Sequence, residues 1–254
     1  MVFAMPNPRA PKQSPKSRRA ESAEDRHSPV TENYLLSLYK LWEDSEVPTV
    51  TQLTDNLKQL PPTEGLGTSV PSVAGMVRRM EKQGLVEIGS DKRIRLTRRG
   101  VEGGEDIARR HRLAEWLVVQ LLGMELHRAY VEAHQLEHGM SRDLETRLME
   151  RLGNPKKSPF GRPIPGTGQP KVPDDALGLD TATPGETYLV ERIPEEDEEL
   201  LRFLAESLIV PERQITVLDA APYRGVLTVK TEQGEVSLGY TVARQILVVP
   251  GTDS

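Results

Sequence analysis

Apolar residues recur at three- and four-residue spacing over residues 31–42, which predicts an amphipathic helix with Thr31 as its cap. The same spacing returns over residues 49–60. A third helix is predicted over residues 69–84, where a serine can cap it and an early proline suits its first turn. Two β-prone runs around the turn GSDK then predict a hairpin. Three helices before a hairpin are the order of a winged helix-turn-helix, whose third helix enters the major groove of DNA.

The spacing of apolar residues beyond the hairpin predicts further helices. Apolar side chains mark one broad face over residues 99–123, and two further helices are predicted over residues 127–140 and 141–153, the second capped by Ser141. So much apolar helical surface beside a small DNA-binding unit is typical of a dimer interface. A twofold dimer also suits a palindromic DNA site.

The C-terminal part changes to a β pattern. The runs YLVERI, QITVL, LTVK and ILVV predict short strands of a small β-barrel, so the predicted fold class is α+β, mainly α. The predicted divisions are a disordered basic arm (1–29), a winged-helix DNA-binding domain (30–100), a helical dimerisation domain (101–166), a linker (167–183) and the β-barrel domain (184–254).

Composition narrows the function classes. The chain lacks both a run of eighteen apolar residues and the apolar core of a secretory signal, so we expect a cytoplasmic protein without a membrane span. Because there is no cysteine, a metal would have to be held by imidazole, carboxylate, amide or carbonyl groups. The net charge is −5, yet residues 78–99 contain eight basic and three acidic residues. This distribution fits a DNA-binding segment, although two solvated surfaces would also produce it.

The stretch EAHQLEHGMS places three polar side chains on one side of a predicted helix. His134, Glu137 and His138 fall within roughly a 100° arc, at about 100° per residue. Their burial would cost desolvation energy unless a partner satisfied them, and a divalent cation would do so. His111 and Glu115, four residues apart, form a second pair on the preceding helix. The alternative is that these histidines belong to the core and bind no metal.

Five segments together resemble the diphtheria toxin repressor family of metal-dependent regulators. They are TENYLLSLYKLWED, VPSVAGMVRRMEKQGLVEI, HRLAEWL, EAHQLEHGMS and SPFGRPIPG, and they occur in the order found in that family. The C-terminal part is similar to the SH3-like domain of the family, which also resembles small domains of ferrous iron transport proteins. The resemblance implies a repressor that binds palindromic operator DNA as a homodimer when loaded with metal, and thereby controls metal homeostasis.

The resemblance also assigns residues to three sites. It implies regulatory metal ligands at Asn33, His134, Glu137 and His138. It implies a second metal site at His111 and Glu115, to which the SH3-like domain would add Glu196 and Glu199. DNA contacts are expected from the third helix and the hairpin, at Ser69, Pro71, Ser72, Gly75, Arg78, Arg79, Lys92, Arg93 and Arg95.

Two departures from the family pattern bear on the metal. An amide at Asn33 and an imidazole at His134 replace the sulfur ligands of iron-responsive members, so we expect Mn²⁺ or Fe²⁺, with Mn²⁺ slightly preferred. Zn²⁺ or Co²⁺ could still bind in vitro. Tyr130 stands where those members have another histidine, and His134 could instead join His111 and Glu115. The alternatives are a winged-helix regulator without metal control and a His/Glu metalloenzyme, although the sequence has no hydrolase motif.

Overall fold

The computed structural model describes residues 26–58, 60 and 66–251. Most of the predicted N-terminal arm and most of the segment PPTEGLG lie outside these residues.

The N-terminal domain is the predicted winged helix. Its apolar faces meet in one core, to which all three helices and the hairpin contribute, for example Leu35, Leu53 and Val77. The elements in chain order are α1 (Pro29–Glu43), α2 (Val50–Leu57), α3 (Val70–Lys82), β1 (Val86–Ile88) and β2 (Ile94–Leu96), with β1 and β2 antiparallel.

Side-chain caps set the starts of these helices. The hydroxyl of Ser69 accepts a hydrogen bond from the Ser72 backbone N–H at the start of α3, as predicted. The predicted cap at Thr31 is wrong, because the Ser28 hydroxyl accepts a hydrogen bond from the Thr31 backbone N–H. Pro29 fits the first turn of a helix, and α1 therefore begins two residues before Thr31.

The middle of the chain forms three helices, α4 (Arg98–Trp116), α5 (Ala129–Glu137) and α6 (Arg142–Arg151). The apolar pattern predicts a continuous helix up to residue 123, but α4 ends at Trp116 and continues as a π-helical turn, Leu117–Leu121. The wider turn changes the direction of the side chains that follow. Val118 is buried, whereas Leu121 and Leu122 are 38% and 62% exposed.

Helix α4 packs closely against α1 because Gly104 has no side chain. A Cβ at this position would lie 2.8 Å from the Tyr39 side chain. The backbones of the two helices can therefore approach each other, and α4 joins the winged helix to the helical domain.

The C-terminal domain is a six-stranded antiparallel sheet in the order β3-β8-β4-β5-β6-β7. Register shifts within β4 and β5 allow these strands to bend around their core. The apolar runs predict β4, β5, β6 and β8, whereas β3 and β7 were not predicted, and β3 lies within the predicted linker. The elements are β3 (Leu177–Gly178), β4 (Thr187–Arg192), α7 (Glu198–Glu206), β5 (Gln214–Ala221), β6 (Val226–Thr231), β7 (Gly234–Gly239), α8 (Tyr240–Ala243) and β8 (Leu247–Pro250).

The sheet packs against the helical domain through a shared core. Val118, Tyr130 and Phe160 from the helical side belong to the same cluster of buried side chains as the interior of the sheet. The backbone N–H of Ile193 also donates a hydrogen bond of 3.1 Å to the Phe160 carbonyl. Within the described ranges, no helix combines the length and the apolarity needed to cross a bilayer.

Gly161 permits this contact, and its substitution tests it. The residue has φ +92°, and a Cβ there would lie 2.0 Å from the Glu191 carbonyl oxygen. We expect Gly161→Ala to reduce the free energy of unfolding by at least ~2 kcal/mol more than Gly153→Ala does, in urea titrations. Gly153 is a matched control, because its φ is +76° and a Cβ there meets no atom within 4 Å. Equal losses of stability would contradict a tight fit between Gly161 and β4.

Candidate metal centre

Packing of α4 against α5 brings histidines and carboxylates together below the surface. His111 lies on α4, and His134 and Glu137 lie on α5. Their exposures are 1%, 5% and 0%, so water does not solvate these polar groups. His111, His134 and Glu137 each place a potential ligand atom within 4.8 Å of the others.

The Glu137 carboxylate is the centre of this cluster. Its Oε1 lies 3.1 Å from His134 Nδ1 and 3.4 Å from His138 Nε2. Its Oε2 contacts His111 Nδ1. His134 and His138 therefore both face the Glu137 carboxylate, and His111 approaches the same carboxylate from α4.

Helix α1 adds the polar groups that complete the cluster. The side-chain amide of Asn33 lies 3.4 Å from His134 Nε2, and His138 Nδ1 lies 2.6 Å from Glu32 Oε2. Arg110 also donates a hydrogen bond of 2.7 Å to Glu32 and another of 2.8 Å to the Glu137 carbonyl. The first helix of the DNA-binding domain thus makes polar contacts with the end of α5.

The electrostatics of the cluster favour a protonated His111 beside an ionised Glu137. Burial alone would lower the pKa of His111, but the negative charges of Glu137 and Glu115 raise it to about 10. Burial alone would raise the pKa of Glu137, but His111 and His134 lower it to about 2. In the metal-free chain a proton on His111 therefore balances part of the buried negative charge.

The donor atoms of the cluster fit a divalent cation. Among the described residues, buried atoms without a hydrogen-bond partner include His134 Nδ1, Glu137 Oε1 and His138 Nε2. The two imidazole nitrogens lie 3.1 and 3.4 Å from this Glu137 oxygen. Unsatisfied buried lone pairs are costly, and a cation that accepts all three would remove the cost.

A second group of polar side chains lies on the other side of His111. His111 Nε2 is 3.0 Å from Glu115 Oε1, and His111, Glu115 and Glu195 also satisfy the spacing of a metal site. Burial raises the pKa of Glu115. Glu195, however, has protein cations beside it, with Lys40 Nζ at 2.6 Å and Arg162 Nε at 3.5 Å. The two groups share His111. The carboxylate of the first group lies beside imidazoles, whereas Glu195 in the second lies beside a lysine and an arginine.

The residues expected from the C-terminal domain have other surroundings. Glu196 pairs with Lys40, and Glu199 is exposed in the first turn of α7. Glu195, which is 2% exposed, is the acidic residue of this segment that approaches His111 and Glu115. Sequence reasoning missed it because the run PEEDEE offers neighbouring acids without a periodic pattern. It also missed Glu32, although Glu32 adjoins Asn33 on α1.

The residues expected to contact DNA share one exposed face of α3. Val73, Met76, Val77 and Met80 point into the core. The residues expected to contact DNA are all exposed and lie at or between the other positions of the helix, namely Ser69, Pro71, Ser72, Gly75, Arg78 and Arg79.

The hairpin adds three basic residues with different partners. Arg95 is held by Asp91 through hydrogen bonds of 3.0 and 2.6 Å, and the Arg93 guanidinium donates to the Val47 carbonyl. Lys92 is exposed at the turn with φ +61°. Of these three residues, Lys92 is the one whose side chain shows no ion pair or hydrogen bond among the described residues, so its ammonium is the most available to a phosphate.

Three family models match the chain and cover its three domains. Residues 27–94 match the iron-dependent repressor N-terminal DNA-binding domain, and residues 97–166 match the metal-binding and dimerisation domain of the same repressors. Residues 177–250 match the FeoA domain.

Individual proteins match over most of their length. The iron-dependent repressor IdeR of Mycobacterium tuberculosis is 33% identical over 86% of this chain and 96% of its own. The diphtheria toxin repressor of Corynebacterium efficiens is 33% identical over 82% and 85%. A manganese-dependent transcriptional repressor in complex with manganese superposes with TM-score 0.74 at 30% identity, over 87% of this chain and all of the other. The manganese regulator SloR gives 0.71 at 26% identity, over 89% and 100%.

The pKa of His111 predicts how the metal-free chain responds to pH. Its folded-state pKa is about 10 against an ordinary value of 6.5. Protonation therefore stabilises the fold fully below pH 6.5, and this contribution is lost as the pH rises through 10. We expect Glu137→Gln to reduce this pH dependence, because it removes the strongest of the charges that raise the pKa. Urea unfolding in chelator across this window checks it, and identical pH dependence in both proteins would contradict it.

Proposed function

The chain belongs to the family of iron-dependent repressors, and from this premise we propose that a metal ion held by Glu137 and its histidines controls its binding to operator DNA. The protein is a metal-dependent transcriptional repressor that regulates metal homeostasis. We propose that it acts in the cytoplasm, where operator DNA lies.

One observation carries the proposal. The carboxylate of Glu137 contacts imidazoles from α4 and α5. Asn33, on α1 of the DNA-binding domain, contacts one of these imidazoles. We assign the regulatory site to Asn33, His134, Glu137 and His138, with His111 as the neighbouring proton-bearing group. A cation bound there would supply the positive charge that joins these side chains across two domains.

The chemistry of these ligands selects the metal class. Imidazole, carboxylate and amide groups without sulfur suit Mn²⁺ and Fe²⁺, whereas the order of affinity in vitro also allows Zn²⁺ and Co²⁺. Relatives are named for both iron and manganese. We therefore propose Mn²⁺ or Fe²⁺ as the activating ion, with Mn²⁺ slightly preferred.

The link between metal and DNA follows from where the ligands lie. Asn33 and Glu32 are on α1, and α1 packs in the core that positions α3. When the cluster holds α1 against α5, the orientation of α3 relative to the helical domain is restricted. Metal thus increases the population of chains whose α3 matches operator DNA, which is an allosteric coupling between two sites.

The residues that would meet DNA divide into two kinds. Ser69 at the cap of α3, and Ser72, Gly75 and Arg78 within α3, would approach base edges in the major groove. Pro71 and Arg79 lie on the same face, and the hairpin residues Lys92, Arg93 and Arg95 would contact phosphates, which raise affinity without selecting sequence.

A homodimer would present two such surfaces to a palindromic operator. The matched family domain is a dimerisation domain. Its residues in this chain include large apolar side chains that remain exposed in the monomer, namely Leu121, Leu122, Leu136 and Leu144. Burial of these leucines against a second copy would remove them from water.

The coupling is tested by Glu137→Gln. Operator duplexes are first selected from a random pool with the native protein in Mn²⁺, and binding is then measured by fluorescence anisotropy. We expect native binding to be at least ~10-fold tighter in Mn²⁺ than in chelator. The Glu137→Gln protein should bind the operator equally weakly in Mn²⁺ and in chelator, because the amide cannot supply the negative charge that holds the ion.

The matched control is Glu132→Gln, which removes the same charge from the same helix. Glu132 pairs with Arg128 near the surface and does not contact the cluster. This variant should keep the native response to Mn²⁺. A Glu137→Gln protein that still responds to Mn²⁺ would refute the assignment, and native binding that is equal in chelator would indicate a regulator without metal control.

The salt dependence of DNA binding tests the hairpin. We expect Lys92→Gln to lower the slope of log K against log salt by roughly 1 for each phosphate that is no longer neutralised, or about 2 for a dimer, because fewer counterions are released. Lys230→Gln removes the same charge from an exposed position of β6 and should leave the slope unchanged. Equal slopes for all three proteins would show that Lys92 does not bind phosphate.

A further inference from the structure

A buried lysine from α1 lies beside the second group of acidic side chains. The Lys40 side chain is 9% exposed, and its Nζ lies 2.6 Å from Glu195 Oε1 and also contacts Glu196 Oε1. Arg162 Nε approaches the same Glu195 oxygen at 3.5 Å. Glu195 therefore has two cationic partners that the chain itself supplies.

The ammonium of Lys40 stays charged in this position. Burial alone would lower the pKa of Lys40, but the carboxylates of Glu195 and Glu196 raise it above its ordinary value. The ring of Tyr130 lies beneath the ammonium, with its centroid 4.8 Å away, and adds a favourable cation–π contact. The geometry therefore places a cation at this point.

The two acidic groups around His111 differ in this respect. The Glu137 carboxylate faces imidazoles, whose ring nitrogens can coordinate a metal ion. The Oε1 atom of Glu195 faces a lysine and an arginine instead, which are cationic groups. A metal ion on Glu195 would share this carboxylate with a fixed ammonium, and two cations so close together repel strongly in a buried site.

Tyr130 packs against both His111 and Lys40. Its ring packs edge-on against the His111 ring, at 5.0 Å between centroids. It thus places an aromatic surface, rather than a nitrogen donor, between His111 and Lys40. This arrangement suits an ammonium better than it suits a divalent ion.

We propose that Lys40 takes the place of a second metal ion, so that each protomer binds a single activating ion at Glu137. The Lys40 ammonium holds the Glu195 carboxylate of the segment before α7 against α1. The C-terminal domain is therefore attached to the DNA-binding domain with or without metal. This inference rests on the proposed function for the ion at Glu137.

The number of bound ions tests the proposal directly. Equilibrium dialysis against Mn²⁺, with native mass spectrometry to count ions, should give one ion per protomer for the native chain. Glu195→Gln should also bind one ion, because Glu195 is not a ligand. Two ions in the native chain that fall to one in Glu195→Gln would overturn the proposal and leave the proposed function intact. No bound ion would overturn both.

The role of Lys40 is tested by Lys40→Gln. Removal of the ammonium leaves Glu195 available, and we expect the count to rise from one ion to two. The matched control is Lys58→Gln, which removes a lysine that pairs with Asp55 at the surface and should keep one ion. A folded Lys40→Gln protein that still binds one ion would overturn the assignment.

Hydrogen–deuterium exchange in chelator provides a readout that does not depend on metal. Lys40→Gln should increase exchange in α7 and in the segment around Glu195, because the ammonium that attaches them to α1 is removed. Lys58→Gln should match the native chain. Unchanged exchange in Lys40→Gln would show that the ammonium does not hold the C-terminal domain in place.

Discussion

The structure depends on one buried carboxylate that faces three imidazoles. Glu137 is fully buried, and both of its oxygens face histidines that come from two helices. The fold can bring these side chains together only because Gly104 lets α4 approach α1 and because α5 packs on α4. The polar cluster is thus a consequence of apolar packing. It contains buried atoms without a hydrogen-bond partner, which a cation could coordinate.

Helix α1 carries the polar contacts that unite the three domains. At its start, Glu32 and Asn33 meet histidines of α5. At its end, Lys40 and Asp44 pair with Glu195 and Arg192 of the C-terminal domain, where the Asp44–Arg192 distance is 2.6 Å. Buried ion pairs add little to the free energy of folding. A domain arrangement that leaves one partner buried without the other, however, has a much higher free energy. They therefore define how the domains fit together.

The sequence predicted what depends on local periodicity. Repeated apolar spacing predicts the winged helix, and the i, i+3, i+4 spacing of His134, Glu137 and His138 predicts that they share one face of a helix. The parts that it did not predict depend on distant residues. Nothing in the run PEEDEE distinguishes Glu195 from Glu196, since only packing against α4 selects between them. Lys40 and Glu195 lie far apart in the chain, and the π-helical turn after Trp116 interrupts a pattern that is helical throughout.

Helix α4 can be regarded as a rigid lever that joins three places of different function. It begins beside the hairpin at Arg98, carries His111 and Glu115 in its second half, and leads through the π-helical turn to Val118 in the core shared with the sheet. Its 19 residues extend over about 28 Å at 1.5 Å per residue. One continuous helix thus connects the buried site with the hairpin in one direction and with the core of the sheet in the other.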